Sequence, residues 1–373
     1  MFPMRIFCCL AMLRADRKNK NLQPMTFQDA ISRRRFAKSL TFAGLASAMP
    51  ALRAQGKVEK SKIIISVDGK RAFAYLPLTI ADQLGFFTDE GLDVQITDYA
   101  ESGAAAQALM AGAVDICSDS FEKIVNLQSK NQILKAFVLQ SRTPQIAFGL
   151  STRNLPSAAS VADLRGKKVG VMAIDSSASL MTHLLLAKVG LKIQDVSLVA
   201  VGSSVAAFSA IRSGQIDALC SSDPAMTMLE QKGDVKIISD ARSLRGASEL
   251  FGGSMPSACL FAPADFLQKN PNTCQAITHA MVHSLKWLQT AGPGDIIKAV
   301  PDSYLLGDRA LYLASFNKIR QCISLDGLLP EDGPSTVLKA LSRFDSSLQQ
   351  AKIDVSKTYT NEFALRSRLR FKV

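Results

Sequence analysis

The chain has 373 residues, 47% of them hydrophobic, which is enough for two domains with real cores and too apolar for a disordered segment. Its formal charge of +12 is concentrated at one end: residues 1–54 hold 10 Lys/Arg against 2 Asp/Glu, and residues 55–373 hold 34 against 30. The remainder carries no basic stripe interleaved with aromatics, so composition speaks against nucleic-acid binding.

Residues 1–54 read as a leader. Ser32-Arg33-Arg34-Arg35-Phe36-Ala37-Lys38 precedes a mostly apolar, acid-free run over 39–52, too short to span a membrane and fronted by charge as an export signal is. The order Ser-Arg-Arg-x-Phe-x-Lys resembles the twin-arginine export signal, which implies a periplasmic protein. Ala46-Ser47-Ala48 and the bond after Ala54 are the two cleavage candidates, and Met25 is the expected true start. Cys8 and Cys9 fall in this leader. Cys117, Cys220, Cys259, Cys274 and Cys322 lie beyond it, an odd number without a CxxC pair, so buried free thiols are expected rather than a disulfide framework or zinc site.

An internal repeat organises the rest. At an offset of 102, Val67 pairs with Val169, Leu84 with Leu186, Asp93 with Asp195, Val94 with Val196, Ser102 with Ser204, Gly112 with Gly214 and Asp115 with Asp217. The first copy opens on the β-branched run Lys62–Val67, a buried strand, followed by a helix with Pro77 in its first turn. Strand 92–96, helix 103–110 and strand 114–117 follow. The second copy reads as strand 168–172, helix 177–189, strand 197–201, helix 204–212 and strand 216–220. Strands alternating with helices at this spacing predict an α/β protein of two lobes, each a mostly parallel sheet flanked by helices.

The polar, Pro-containing stretch Ser151–Ser160 reads as one crossover between lobes, and the other is expected near Gly252–Ala264. The chain then divides into leader 1–54, the first part of lobe 1 at 55–150, lobe 2 at 151–255, and a return to lobe 1 with C-terminal helices at 256–373. In open parallel sheets ligands sit beyond the carboxyl ends of strands, where helix N-termini converge. That rule selects Tyr75, Ser102-Gly103, Ser118-Asp119-Ser120, Ser176-Ser177, Ser203-Ser204 and Ser221-Ser222-Asp223. Each serine could merely cap its helix, and Asp223 could cap the helix after Pro224, but pairs repeated at equivalent loops favour a ligand role. Helix N-termini and hydroxyls suit an anionic solute.

Tyr75-Leu76-Pro77-Leu78, Gly85-Phe86-Phe87-x-x-Glu90-Gly91-Leu92-Asp93-Val94, Leu109-x-x-Gly112-x-x-Asp115, Ser160–Val169, Gly214–Ala218 and Asp223-Pro224 occur in this order over about residues 60–290. In these the chain resembles the periplasmic binding proteins of the nitrate, sulfonate and taurine importer family, which includes pyrimidine-precursor binders. The resemblance implies a two-lobed clamp with two hinge crossovers, expected as a monomer, that hands a small molecule to an ABC permease in the inner membrane. It implies ligand contacts at Tyr75, Ser102, Asp119, Ser141, Ser176, Ser177 and Asp223. Sulfonate-binding relatives often carry an aromatic residue before the Asp-Pro pair, where this chain has Ser222, so the ligand stays open.

Catalytic motifs are absent from the sequence. His279 and His283 stand four apart, but Ala280 occupies the place where a zinc protease needs Glu, and one such pair supplies too few ligands for zinc. These are expected as helix-surface or interlobe histidines. His183 has no Gly-x-Ser-x-Gly elbow to serve, and no phosphate loop or GxGxxG is present. No cofactor or metal is expected. The alternatives are an enzyme on the same fold acting on a pyrimidine or quinone precursor, against which the leader argues, and a ligand-sensing subunit.

Overall fold

The computed structural model describes residues 56–373 except 159 and 203, so the leader, its export signal and its cleavage points lie outside the described residues. Ten strands form two sheets. The first holds β1 (Lys62–Asp68), β2 (Asp93–Tyr99), β3 (Ile116–Ser120) and β4 (Leu134–Leu139). The second holds β5 (Ile146–Ser151), β6 (Lys168–Val171), β7 (Ser197–Ala200), β8 (Ala218–Ser222) and β9 (Val235–Asp240); β10 (Ala258–Pro263) returns to the first. Ile63, Ile65 and Val67 of β1 are buried, as a β-branched strand covered on both faces requires.

The sheet orders are β2-β1-β3-β10-β4 and β7-β6-β8-β5-β9. They are the same order twice. In each, the strand that follows a change of lobe, β10 or β5, runs antiparallel to its two neighbours, while the other pairs are parallel. β3 and β8 begin and end at the 102-residue offset seen in the sequence.

The first link between lobes is Gln140–Gln145, not the expected stretch at Ser151–Ser160. Ile146–Ser151 already belongs to the second sheet, and the polar, Pro-containing residues after it make a turn on that lobe. Such composition marks any exposed turn, whichever lobe carries it. The boundary at 150 therefore moves back by one strand. The second link is Gly252–Ser257. The two links lie side by side, with Ser257 N–H donating to Ser141 O and Ser141 N–H donating to Ala258 O, both at 3.0 Å.

The repeated Gly-x-x-Asp has a structural explanation. Gly112 and Gly214 take φ of 71° and 77° in leaving their helices, a conformation other residues adopt at a cost. Three residues on, Asp115 accepts the Ile64 N–H at 3.0 Å and Asp217 accepts the Lys168 N–H at 2.9 Å, each locking its strand to the first strand of its repeat. Gly112→Ala and Gly214→Ala are each expected to cost about 1–2 kcal/mol. Urea unfolding checks this, and an unchanged midpoint for either variant would contradict the shared role.

One apolar cluster runs through both lobes, joining Phe121 and Ile124 of the first to Phe148 and Leu180 of the second. The Pro271–Thr290 helix packs against the Leu76–Gln83 and Glu362–Phe371 helices of lobe 1. His279 and His283 lie within lobe 1 rather than between the lobes. His279 is buried with Nδ1 at 2.9 Å from Ser367 Oγ, and His283 stacks on Phe86 and Phe371, so both seat the C-terminal helix. The five cysteines among the described residues are buried free thiols.

Candidate functional site

The interlobe face of lobe 1 is built from the ends of β1 and β3 and the helices that follow. Asp68, the last residue of β1, accepts the N–H groups of Gly103 at 2.5 Å and Ala105 at 2.8 Å. The start of the Ala104–Met110 helix, which the sequence offers to an anionic solute, is thus already occupied by the protein's own carboxylate. Gly103 fits here because its φ is +83°.

Asp119 stands on β3 with 5% of its surface exposed. Its Oδ1 accepts the Ser120 N–H at 2.6 Å and the Tyr75 hydroxyl at 3.4 Å, whereas Oδ2 is buried without a partner. Burial pushes its carboxyl up to about 7, with the charges of Asp68 and Glu122 adding to this and the Ser120 N–H and Lys123 opposing it. Glu122, in the first turn of the Phe121–Gln128 helix, is also raised by burial. Its Oε2 accepts the Ser177 hydroxyl from lobe 2 at 2.6 Å, and its Oε1 is buried without a partner.

Lobe 2 answers with the loop before the Ser177–Lys188 helix. Asp175 binds Lys123 Nζ at 2.6 Å and accepts the Ser102 hydroxyl at 3.3 Å. Despite burial, this bond to Asp175 holds the Lys123 ammonium above its ordinary pKa and, reciprocally, holds Asp175 below its own. Ser176 turns inward to its own loop, its hydroxyl donating to Ala173 O at 2.5 Å. A 480 Å³ cavity opens beside this contact, lined by Ser102, Gly103, Lys123, Asn126 and Asp175 among others.

Of the residues selected from the sequence, the structure brings together Tyr75, Ser102, Gly103, Asp119, Ser120, Ser176 and Ser177. Tyr75 and Ser177 meet the same β3–helix corner, one through Asp119 and the other through Glu122. Ser141 lies apart, in the first link, donating to Thr143 O and accepting from Gln145. Ser222 donates to Met172 Sδ at 3.6 Å, and Ser204 begins a helix but its side chain lies outside the described residues.

Asp223 is held by partners within lobe 2. It is buried, accepts the Thr227 N–H at 2.8 Å as the cap of the Ala225–Gln231 helix, and pairs with Arg242 Nη1 at 3.2 Å. Both of its roles are internal. Sequence reasoning missed Asp68, Glu122, Lys123 and Asp175. Asp68 ends β1, Glu122 and Lys123 begin the helix after β3, and Asp175 precedes Ser176, so the strand-end rule that chose the serines covers all four.

Two like sheets of five strands, flanked by helices and joined by two adjacent links with a polar cluster between them, make this a periplasmic-binding-protein fold. The chain belongs to the NMT1/THI5-like family, whose model matches residues 72–291. It is similar to a solved structure from Bordetella bronchiseptica RB50, 48% identical over 85% of this chain and 100% of that one, with a TM-score of 0.80. It shares its fold with the alkanesulfonate-binding protein SsuA from Xanthomonas axonopodis pv. citri bound to MOPS (15% identity, 81% of this chain and 99% of that one, TM-score 0.63). The periplasmic nitrate-binding protein NrtA from Synechocystis PCC 6803 also shares it (13% identity, 85% and 90%, TM-score 0.65). Among curated proteins no sequence matches the chain.

Proposed function

We propose that the chain is the solute-binding component of an ABC importer, which captures a small molecule between its lobes in the periplasm and delivers it to a membrane permease. The observation that carries this reading is the interlobe cluster: Glu122 of one lobe bonds Ser177 of the other, and Asp175 bonds Lys123 and Ser102 in return. Polar groups so placed bind tightly only when the lobes approach, so a ligand that joins them favours the closed state. SsuA and NrtA, binding proteins for alkanesulfonate and nitrate, support the class. Among the described residues no helix is long and apolar enough to cross a membrane.

In this reading the protein binds without converting. A thermal-shift screen should find a solute that raises the midpoint, because a ligand at 100 times its Kd adds about 2.7 kcal/mol to native stability. Mass spectrometry after long incubation should then recover that solute unchanged. Turnover would move the enzyme reading to first place.

The export route belongs to the same proposal and rests on Arg33 and Arg34. Replacing both with Lys should leave full-length precursor inside the cell. Mature protein reaching the periplasm in normal amount would remove the twin-arginine assignment.

A further inference from the structure

The hydroxyls of Tyr75, Ser102, Ser176 and Ser177 at the interlobe site already donate to the protein's own oxygens. Asp68, Asp119 and Glu122 converge from lobe 1 and Asp175 from lobe 2, against the single ammonium of Lys123, which Asp175 already holds at 2.6 Å. The helix N-terminus at Gly103–Ala105 is filled by Asp68. An arriving oxyanion would therefore meet four carboxyl groups, and would compete with Asp175 for Lys123 and with Asp68 for the Gly103 and Ala105 N–H groups.

Two buried oxygens point to the opposite chemistry. Asp119 and Glu122 are each 5% exposed, and Asp119 Oδ2 and Glu122 Oε1 find no hydrogen-bond partner although the other oxygen of each is bonded within the cluster. Buried acceptors are nearly always paired, and an orphan one calls for an explanation. These two lie at the strand-to-helix corner where Tyr75 and Ser177 also meet. Resting on the reading of the protein as a solute binder, we infer that its cleft takes a small solute presenting two N–H donors, an amidine or a diamine, to Asp119 and Glu122, and that it rejects small oxyanions.

The test is calorimetric titration of the purified protein with two sets of probes. Benzamidine and 1,4-diaminobutane represent N–H donors; nitrate, ethanesulfonate and taurine represent anions. At least one donor probe should bind at least tenfold more tightly than every anion. Asp119→Asn and Glu122→Gln exchange an acceptor oxygen for an amide of the same shape, and each should weaken that probe at least tenfold while circular dichroism stays native. Ser157→Ala, on an exposed turn of lobe 2, should bind as the unaltered protein does. Failure of both donor probes to bind overturns the inference, as does unchanged affinity in both carboxylate variants. Tight binding of nitrate or a sulfonate also overturns it and leaves the importer reading standing. A donor probe that binds and is chemically converted leaves the inference standing and overturns the importer reading.

Discussion

Asp119→Asn is expected to raise the thermal midpoint of the unliganded protein at pH 8 and to change it little at pH 4. The carboxyl is raised by burial from 3.8 to about 7 in the folded chain, so between those values the folded state keeps a proton that the unfolded state has lost. Its contribution to stability is full below about 4 and is lost as pH rises through about 7. The difference corresponds to about 4 kcal/mol across the window. Asn never ionises and escapes that loss. The groups facing Asp119 are Asp68 on β1, Tyr75, Glu122 and Lys123, with Cys117 on the same strand and Cys259 on neighbouring β10. Asp68 and Glu122 are themselves raised by burial, so the variant keeps part of the parent's slope. Thermal melts at pH 4, 6 and 8 check this, and parallel curves for parent and variant would mean that Asp119 ionises freely. A substitution that stabilises the protein while weakening its ligand is what a residue held for binding should show.

Arg242→Met is expected to destabilise the fold by about 3–5 kcal/mol, the usual cost of stranding a buried carboxylate. Arg242 is 1% exposed and binds Asp223, Asp240 at 2.7 Å and Glu230 at 3.1 Å. Glu230 also takes Lys318 Nζ at 2.5 Å from the Arg309–Ile319 helix, which ties lobe 2 to the C-terminal helices. Asp223 is 2% exposed, and among the described residues Arg242 is the cation that pairs with it. Adding Asp223→Asn should restore much of the loss, since the two residues act as one unit. Urea unfolding of the two single variants and the double variant measures the coupling. Additive losses would mean that Asp223 and Arg242 stand independently, and would return Asp223 to the list of residues free to meet a ligand.

The repeat made much of the fold legible because its marks are local. Gly112 and Gly214 turn the chain, Asp115 and Asp217 lock a strand, and each works within its own lobe at the same spacing. What the sequence left unread is non-local. Ile146–Ser151 pairs with residues some 70 and 90 positions on, and nothing in Ile-Ala-Phe-Gly-Leu-Ser says which sheet will take it. The site divides the same way. Strand ends located Tyr75, Asp119 and Ser177, but spacing could not show that Arg242, 19 residues away, already occupies Asp223, or that Asp68 fills the helix start at Gly103 from 35 residues back. An expectation of an anion followed from helix N-termini and serine hydroxyls at strand ends, and a carboxylate from a distant strand end fills one of those N-termini.

The sheet orders carry a consequence for how such a chain is made. Lobe 2 draws all five of its strands from one continuous stretch, residues 146–240, whereas lobe 1 needs β10 to fill the gap between β3 and β4. Translation and completion therefore run in opposite orders: the lobe begun first is finished last. Lobe 2 is in effect an insertion whose two ends emerge side by side at Ser141 and Ser257, so its folding draws residues 140 and 258 together and turns a closure over more than a hundred residues into a short one. A chain stopped before residue 258 carries a whole second lobe and a first lobe with two open strand edges.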